Sequence, residues 1–313
     1  MDQATIDIPP DDVLLEIFYL YRWGSEFDYS PAFWWKNLTH VCRKWREIIF
    51  ASPSFLDLRL ECTYKTPTRT LLDIWPQFPI AVLGYFLEKY DEGQDNIIAA
   101  LEHHDRVIQI HIQPFRLETY FAVTQKPFPV LAYLNLISYD DIAPVLDEEF
   151  LGGSTPRLQR FSLQNIAFPA FPRLVLSTTH LSHLSLWRIP IAGYISPEAM
   201  VTCLATLPRL ERLFIGFESF QSRPDRIGLP PSTRAVLPTL GRFGFQGVSE
   251  YLEDLVARID TPKLVWLKVL LFMDLMHNST SLSFAQKVSG RPIRLRSCFA
   301  PLISGLLLDP PYR

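Results

Sequence analysis

Along most of this chain the apolar residues recur in one short figure. Val107-x-x-Ile110-x-Ile112 is followed by Leu131-x-x-Leu134-x-Leu136, Leu158-x-x-Phe161-x-Leu163, Leu181-x-x-Leu184-x-Leu186, Leu210-x-x-Leu213-x-Ile215, Leu240-x-x-Phe243-x-Phe245 and Leu264-x-x-Leu267-x-Val269. The first positions step by 24, 27, 23, 29, 30 and 24 residues. Each figure ends in the period-two alternation of a strand, so Leu184 and Leu186 face one way while His183, Ser185 and Trp187 face the other. One such strand cannot hide its apolar face; stacked copies share a continuous core. Two shorter runs, Phe55-x-x-Leu58-x-Leu60 and Ile80-x-Val82, precede the series. Between the strands, the spacing predicts helices over Thr68–Trp75, Asn96–His104, Ala199–Leu207 and Ser249–Ile259. Ser196-Pro197-Glu198 is a good start for the third, and Ser249 is placed to cap the last. The Pro-rich stretch Asn165–Thr178 predicts a loop.

The first fifty residues follow another period. Val13, Leu14, Ile17, Phe18 and Tyr21 form one helical stripe, and Leu38, Val41, Cys42, Trp45 and Ile49 form a second. Pro10, Asp11 and Asp12 suit a first helical turn, where a missing N–H costs nothing and carboxylates meet the positive end of the dipole. Arg43, Lys44 and Arg46 are expected near the end of the second helix, before Pro53. Segments of about 40–50 residues are marginal alone. Their surplus apolar surface therefore needs the rest of the chain or a partner.

Pro10-x-Asp12-Val13-Leu14-x-x-Ile17-Phe18 and Leu38-x-x-Val41-Cys42-Arg43-x-Trp45-Arg46 together resemble the F-box motif. Pro9 stands where that family usually has Leu, and the spacer between Tyr21 and Leu38, with Trp23, Phe33, Trp34 and Trp35, is about ten residues longer than in a compact member, as in large fungal families. The downstream hexads, at their 23–30-residue period, resemble degenerate leucine-rich repeats. An unrelated α/β domain with Leu-rich buried strands is the alternative. The expected architecture is α/β: an N-terminal helical F-box over 6–56, then a leucine-rich-repeat-like solenoid over 57–313, with a parallel β-sheet on its concave face.

Composition narrows the function classes. A 48% hydrophobic share with 20% charged residues describes a folded globular chain, and 26 Pro in 313 residues predict an irregular side opposite the sheet. A net charge of −3 gives no bulk reason to expect nucleic acid. No apolar run approaches the ~18–20 residues of a membrane span. Asp2 and Asp7 without a basic stretch predict no signal peptide. Cys42, Cys62, Cys203 and Cys298 contain no C-x-x-C pair, which favours reduced thiols in the cytosol or nucleus.

Catalytic patterns are absent: the chain has no G-x-S-x-G, P-loop or G-x-G-x-x-G. His180 and His183 are three apart on a strand, facing opposite ways, with no acidic third ligand beside them. His103 and His104 fall at a helix end, and Cys42 on an apolar stripe. No catalytic, cofactor or metal site is expected. Specificity is expected instead in the outward strand positions. Gln109, Tyr133, Arg160, His183, Arg212, Arg242 and Trp266 form one column. His111, Asn135, Ser162, Ser185, Phe214, Gly244 and Lys268 form a second, and Gln113, Ile137, Gln164, Trp187, Gly216, Gln246 and Leu270 a third. Arg and aromatic side chains are the residue types that dominate protein interfaces, which singles out Arg160, His183, Trp187, Arg212 and Arg242 for target binding.

The F-box resemblance implies a substrate-recognition subunit of a cullin–RING ubiquitin ligase. Its implied docking surface for a Skp-family adaptor is Pro10, Val13, Leu14, Ile17, Phe18, Leu38, Val41, Cys42 and Trp45. A repeat scaffold outside any ligase, with the helical segment acting as a cap, is the competing expectation.

Overall fold

A computed structural model describes residues 9–24, 34–63, 66–74, 78–84, 93–113, 117–219, 234–272 and 294–295. It is an α/β fold built on a ten-stranded sheet. The strands are β1 (Leu60–Cys62), β2 (Ile80–Gly84), β3 (Val107–Ile112), β4 (Tyr133–Ile137), β5 (Arg160–Gln164), β6 (His183–Ile189), β7 (Arg212–Phe217), β8 (Ala235–Val236), β9 (Arg242–Gly247), β10 (Ile259–Asp260), β11 (Trp266–Leu271) and β12 (Arg294–Leu295). β8 and β10 form a separate parallel pair. The other ten lie side by side in chain order, every pair parallel. Parallel neighbours need a crossover of a dozen or more residues, which is why the hexads stand 23–30 residues apart.

The register follows the hexads. Ile110, Leu134, Phe161, Leu184, Leu213, Phe243 and Leu267 are consecutive partners across seven strands, and all are buried. A second buried ladder, from Ile112 through Leu136, Leu163, Leu186, Ile215 and Phe245, runs beside it. Five of the seven hexads enter their strands by the same device. The N–H of Leu131, Leu158, Leu210, Leu240 and Leu264 donates to the carbonyl three residues back. Pro129, Pro156, Pro208, Pro238 and Pro262 hold the second position of these turns, where a fixed φ suits a type I turn. Five of the chain's 26 prolines therefore sit at strand entries.

The crossovers pack on one face of the sheet. Thr68–Ile74, Gln94–Leu101, Pro197–Ala205 and Ser249–Ala257 are helices. Ser196 Oγ accepts from the Ala199 N–H at the start of its helix. Two local expectations fail. Asn165–Thr178 contains a helix, Phe171–Leu176, because Pro172 occupies its first turn and Phe171, Leu174 and Val175 bury one side. Ser249 does not cap: Val248 stands in the extended N-cap position, and the Ser249 hydroxyl donates to Glu250 instead.

The N-terminal region forms a second buried cluster. Three helices contribute, α1 (Asp11–Gly24), α2 (Trp34–Thr39) and α3 (Arg43–Ala51). The single second helix expected from Leu38 to Ile49 is corrected by a turn through His40–Cys42, with Cys42 extended (φ −155°) at the N-cap of α3. Arg43, Lys44 and Arg46 consequently lie in the first turn of α3. Three contacts offset that unfavourable dipole position: Lys44 Nζ donates to the Pro9 carbonyl (3.2 Å) and pairs with Asp11 (3.3 Å), and Arg46 Nε donates to the Thr39 carbonyl (3.0 Å). Leu56, Leu58 and Phe78 also belong to this cluster, so its packing runs into the start of the sheet. The first expected figure shifts: Phe55 is exposed, while Leu58, Leu60 and Cys62 are buried on one alternation. Phe33, Trp75, Cys298 and most of 221–236 lie outside the described residues.

Candidate functional site

Two surfaces carry the expected binding residues. On α1, the stripe read as one apolar surface divides in two. Leu14 and Phe18 are 1% and 0% exposed and form the core with Trp35, Leu38 and Ile49. Val13 and Ile17, 44% and 46% exposed, point outward with Leu20 and Tyr21. These four lie at i, i+4, i+7 and i+8, one continuous helical face. Val41 in the α2–α3 turn and Phe55 are also exposed, and the Phe55 ring approaches Tyr19 (6.0 Å between centroids). Pro10 is exposed at the start of α1 and Cys42 is half-buried. Trp45 is half-buried and packs edge-on against Phe18, with centroids 4.9 Å apart. Leu14, Phe18 and Leu38, expected to line the docking surface, are instead buried behind the exposed face. Leu20 and Phe55 were missed; Leu20 at i+7 from Val13 was the signal for the first.

The second surface is the sheet face opposite the helices. Gln109, Tyr133, Arg160, His183, Arg212, Arg242 and Trp266 are consecutive cross-strand partners, as are His111, Asn135, Ser162, Ser185, Phe214, Gly244 and Lys268. The third column is correct only in two pieces, and Gln113 lies beyond the end of the β3–β4 pairing. Ile137, Gln164 and Trp187 align, and Gly216, Gln246 and Leu270 align, but the register shifts between Leu186 and Ile189. Arg188 absorbs that irregularity with φ +51° and pairs with Glu218 (3.3 Å).

Of the five side chains expected to act together, Arg160, His183, Arg212 and Arg242 share one register on four neighbouring strands, while Trp187 lies four residues further along β6. The Arg160 guanidinium lies 5.3 Å from the Tyr133 ring centre. His183 Nδ1 shares a hydrogen bond with the Ser182 hydroxyl (2.8 Å), while its buried Nε2 has no partner among the described residues. Burial first, then the positive charges of Arg160, Arg212 and Arg242, push the His183 pKa down to about 4. His183 is therefore neutral near pH 7. Trp187 leans on Phe214, with ring centroids 4.6 Å apart. Glycines make the room: a Cβ on Gly216 would fall 2.6 Å from Trp187 Cε3, and one on Gly244 only 2.3 Å from Phe214 Cδ2. Neither interlock is visible from spacing alone.

Burial pushes the Cys62 and Cys203 thiols up to about 12 and about 11, far from the thiolate state. No group of three metal-ligating side chains occurs among the described residues. His180 is exposed and bonds to Arg209 (2.9 Å), and His104 meets the Pro127 carbonyl (2.8 Å). No described helix is long and apolar enough to cross a membrane. No family model matches the chain, and no curated protein matches it.

Proposed function

We propose that this chain is the substrate-recognition subunit of an SCF-type cullin–RING ubiquitin ligase, acting in the cytosol or nucleus. Its N-terminal helices form an F-box that docks on a Skp-family adaptor. The following leucine-rich-repeat-like solenoid holds a protein target on its concave sheet face. The chain itself makes and breaks no bond; it raises the effective concentration of target near a ubiquitin-charged enzyme.

The observation that carries this assignment is the division of α1. Its core is satisfied by Leu14 and Phe18, yet Val13, Ile17, Leu20 and Tyr21 remain in solvent as one apolar stripe. A protein rarely leaves such a face on a short helix unless a partner covers it. One feature favours the scaffold alternative: Leu56, Leu58 and Phe78 join the helical cluster, as in a cap that closes the open end of a sheet. The two roles separate by experiment. Affinity purification of the full chain with mass spectrometry should recover a Skp-family adaptor and a cullin. A chain carrying Val13→Asp and Ile17→Asp should lose both and keep its other partners. Recovery of partners without adaptor or cullin would leave the scaffold.

A further inference from the structure

The open sheet face carries charge of one sign beside an aromatic shelf. Arg160, His183, Arg212 and Arg242 hold the same register on four neighbouring strands. Strands lie ~4.8 Å apart, so the row spans about 14 Å, the length of about four extended residues. The outward columns from β3 to β11 contain no Asp or Glu. Glu61 shares the row's register only at the far edge, four strands from Arg160. With His183 neutral near pH 7, the row holds three positive charges on a chain whose net charge is −3. Two residues further along β7 is Phe214, and four residues further along its neighbour β6 is Trp187, both partly exposed. Their rings lie over the bare backbone of Gly244 and Gly216, which fixes the shelf's height and leaves little freedom to repack.

We infer that this face binds an extended acidic peptide segment laid across β5, β6, β7 and β9. Its oxyanions, carboxylates or a phosphate monoester, meet the guanidinium groups of Arg160, Arg212 and Arg242, and an adjacent apolar or aromatic residue rests on Trp187 and Phe214. Guanidinium suits both anions, because its planar fork donates two parallel hydrogen bonds. Single-stranded nucleic acid also uses arginine and stacked rings. It is the poorer fit, because the positive row is short and the chain as a whole is acidic. The inference rests on the proposed function only in taking this face as the target side.

The test is binding of the purified full chain to an array of randomised 12-residue peptides, containing Asp, Glu, phosphoserine or phosphothreonine on a neutral background, with oligouridylate as a competitor. Retained peptides should be enriched in acidic residues next to an apolar one. The ratio of phosphorylated to Asp/Glu peptides identifies the anion's source. Arg212→Ala with Arg242→Ala should weaken retention at least tenfold; Trp187→Ala should remove the apolar preference and keep the acidic one. Circular dichroism on each variant confirms an unchanged fold, and Arg212→Lys, which keeps charge but loses the fork, should recover binding only in part. Retention without acidic enrichment, unchanged selection by the arginine variant, no retained peptide at all, or displacement by oligouridylate would overturn the inference. Adaptor binding is measured on the same preparations. Its loss alongside intact peptide selection would sink the ligase assignment and leave the acidic-peptide site standing.

Discussion

The helical N-terminus and the sheet solve the same problem, burying apolar residues, with opposite economy of partners. In the sheet the ladder residues find their cover within the chain: Leu184 is hidden because Phe161 and Leu213 flank it in one ladder. The three N-terminal helices close a small core around Phe18 and Trp35 and still leave Ile17, 46% exposed, and Leu20, 66% exposed, in water. A repeated element can extend until its surface is used up. A three-helix unit has only one inside. What it leaves apolar on the outside is surface available to another molecule.

The largest expected effects test the two interiors. Phe18→Ala removes a fully buried ring that contacts Trp45 and should cost about 3–5 kcal/mol of the helical unit's stability. Leu184→Ala should cost about 2–5 kcal/mol in the sheet. Denaturant unfolding followed by a probe in each region reads both. Because Leu56, Leu58 and Phe78 tie the helical cluster to the sheet's first strands, Phe18→Ala should also loosen β1 and β2 in hydrogen exchange, whereas β9 and β11 keep their protection. Uniform loss of protection across all strands would erase the contrast.

A smaller effect tests the aromatic shelf. Gly244→Ala puts a methyl group 2.3 Å from Phe214 Cδ2, and displacing that ring should cost about 1–3 kcal/mol. Phe214→Ala in the same chain should recover most of the loss. An unaltered melting temperature for Gly244→Ala would mean that the ring does not lie where the structure has it.

The His183 pKa, about 4 in the fold against an ordinary value of 6.5, gives a pH signature. The unfolded chain takes up this proton more readily than the folded one, so the contribution is full above about pH 6.5 and declines as pH falls toward 4. His183→Asn should flatten that acid limb. Arg212→Ala should raise the His183 pKa by removing a neighbouring positive charge, which an NMR titration of the imidazole detects. His111, lowered by burial alone, should not respond to the arginine change.

Much of the sheet was legible in the sequence because period-two alternation maps onto strand faces without ambiguity. The column from Gln109 to Trp266 came out in register for that reason. The third column broke where a left-handed residue, Arg188, slips the pairing; nothing but a positive φ marks that site, and arginine does not advertise one. The helical region was harder. Val13 and Leu14 are adjacent and equally apolar, so spacing cannot say which is core when apolar residues occupy both sides of the helix. The turn at His40–Cys42 contains neither Gly nor Pro, the usual breakers. Trp34 and Trp35, assigned to a spacer, are buried members of the core. The aromatic–glycine interlock needed three dimensions: the columns place Gly216 and Gly244, but only the structure shows each covered by a ring from the neighbouring strand.

The smallest effect on folding should bring the largest effect on binding. Ile17→Asp alters an exposed position, so stability should change by no more than about 0.5 kcal/mol. The same carboxylate would be desolvated and unpaired in the proposed interface, at a cost of several kcal/mol. Calorimetric titration of a purified Skp-family adaptor into the full chain, wild type against Ile17→Asp, tests the account most directly. The wild type should bind stoichiometrically, and Ile17→Asp should show no measurable heat while melting at the same temperature. Equal affinity for both chains, or no binding by the wild type, would contradict it.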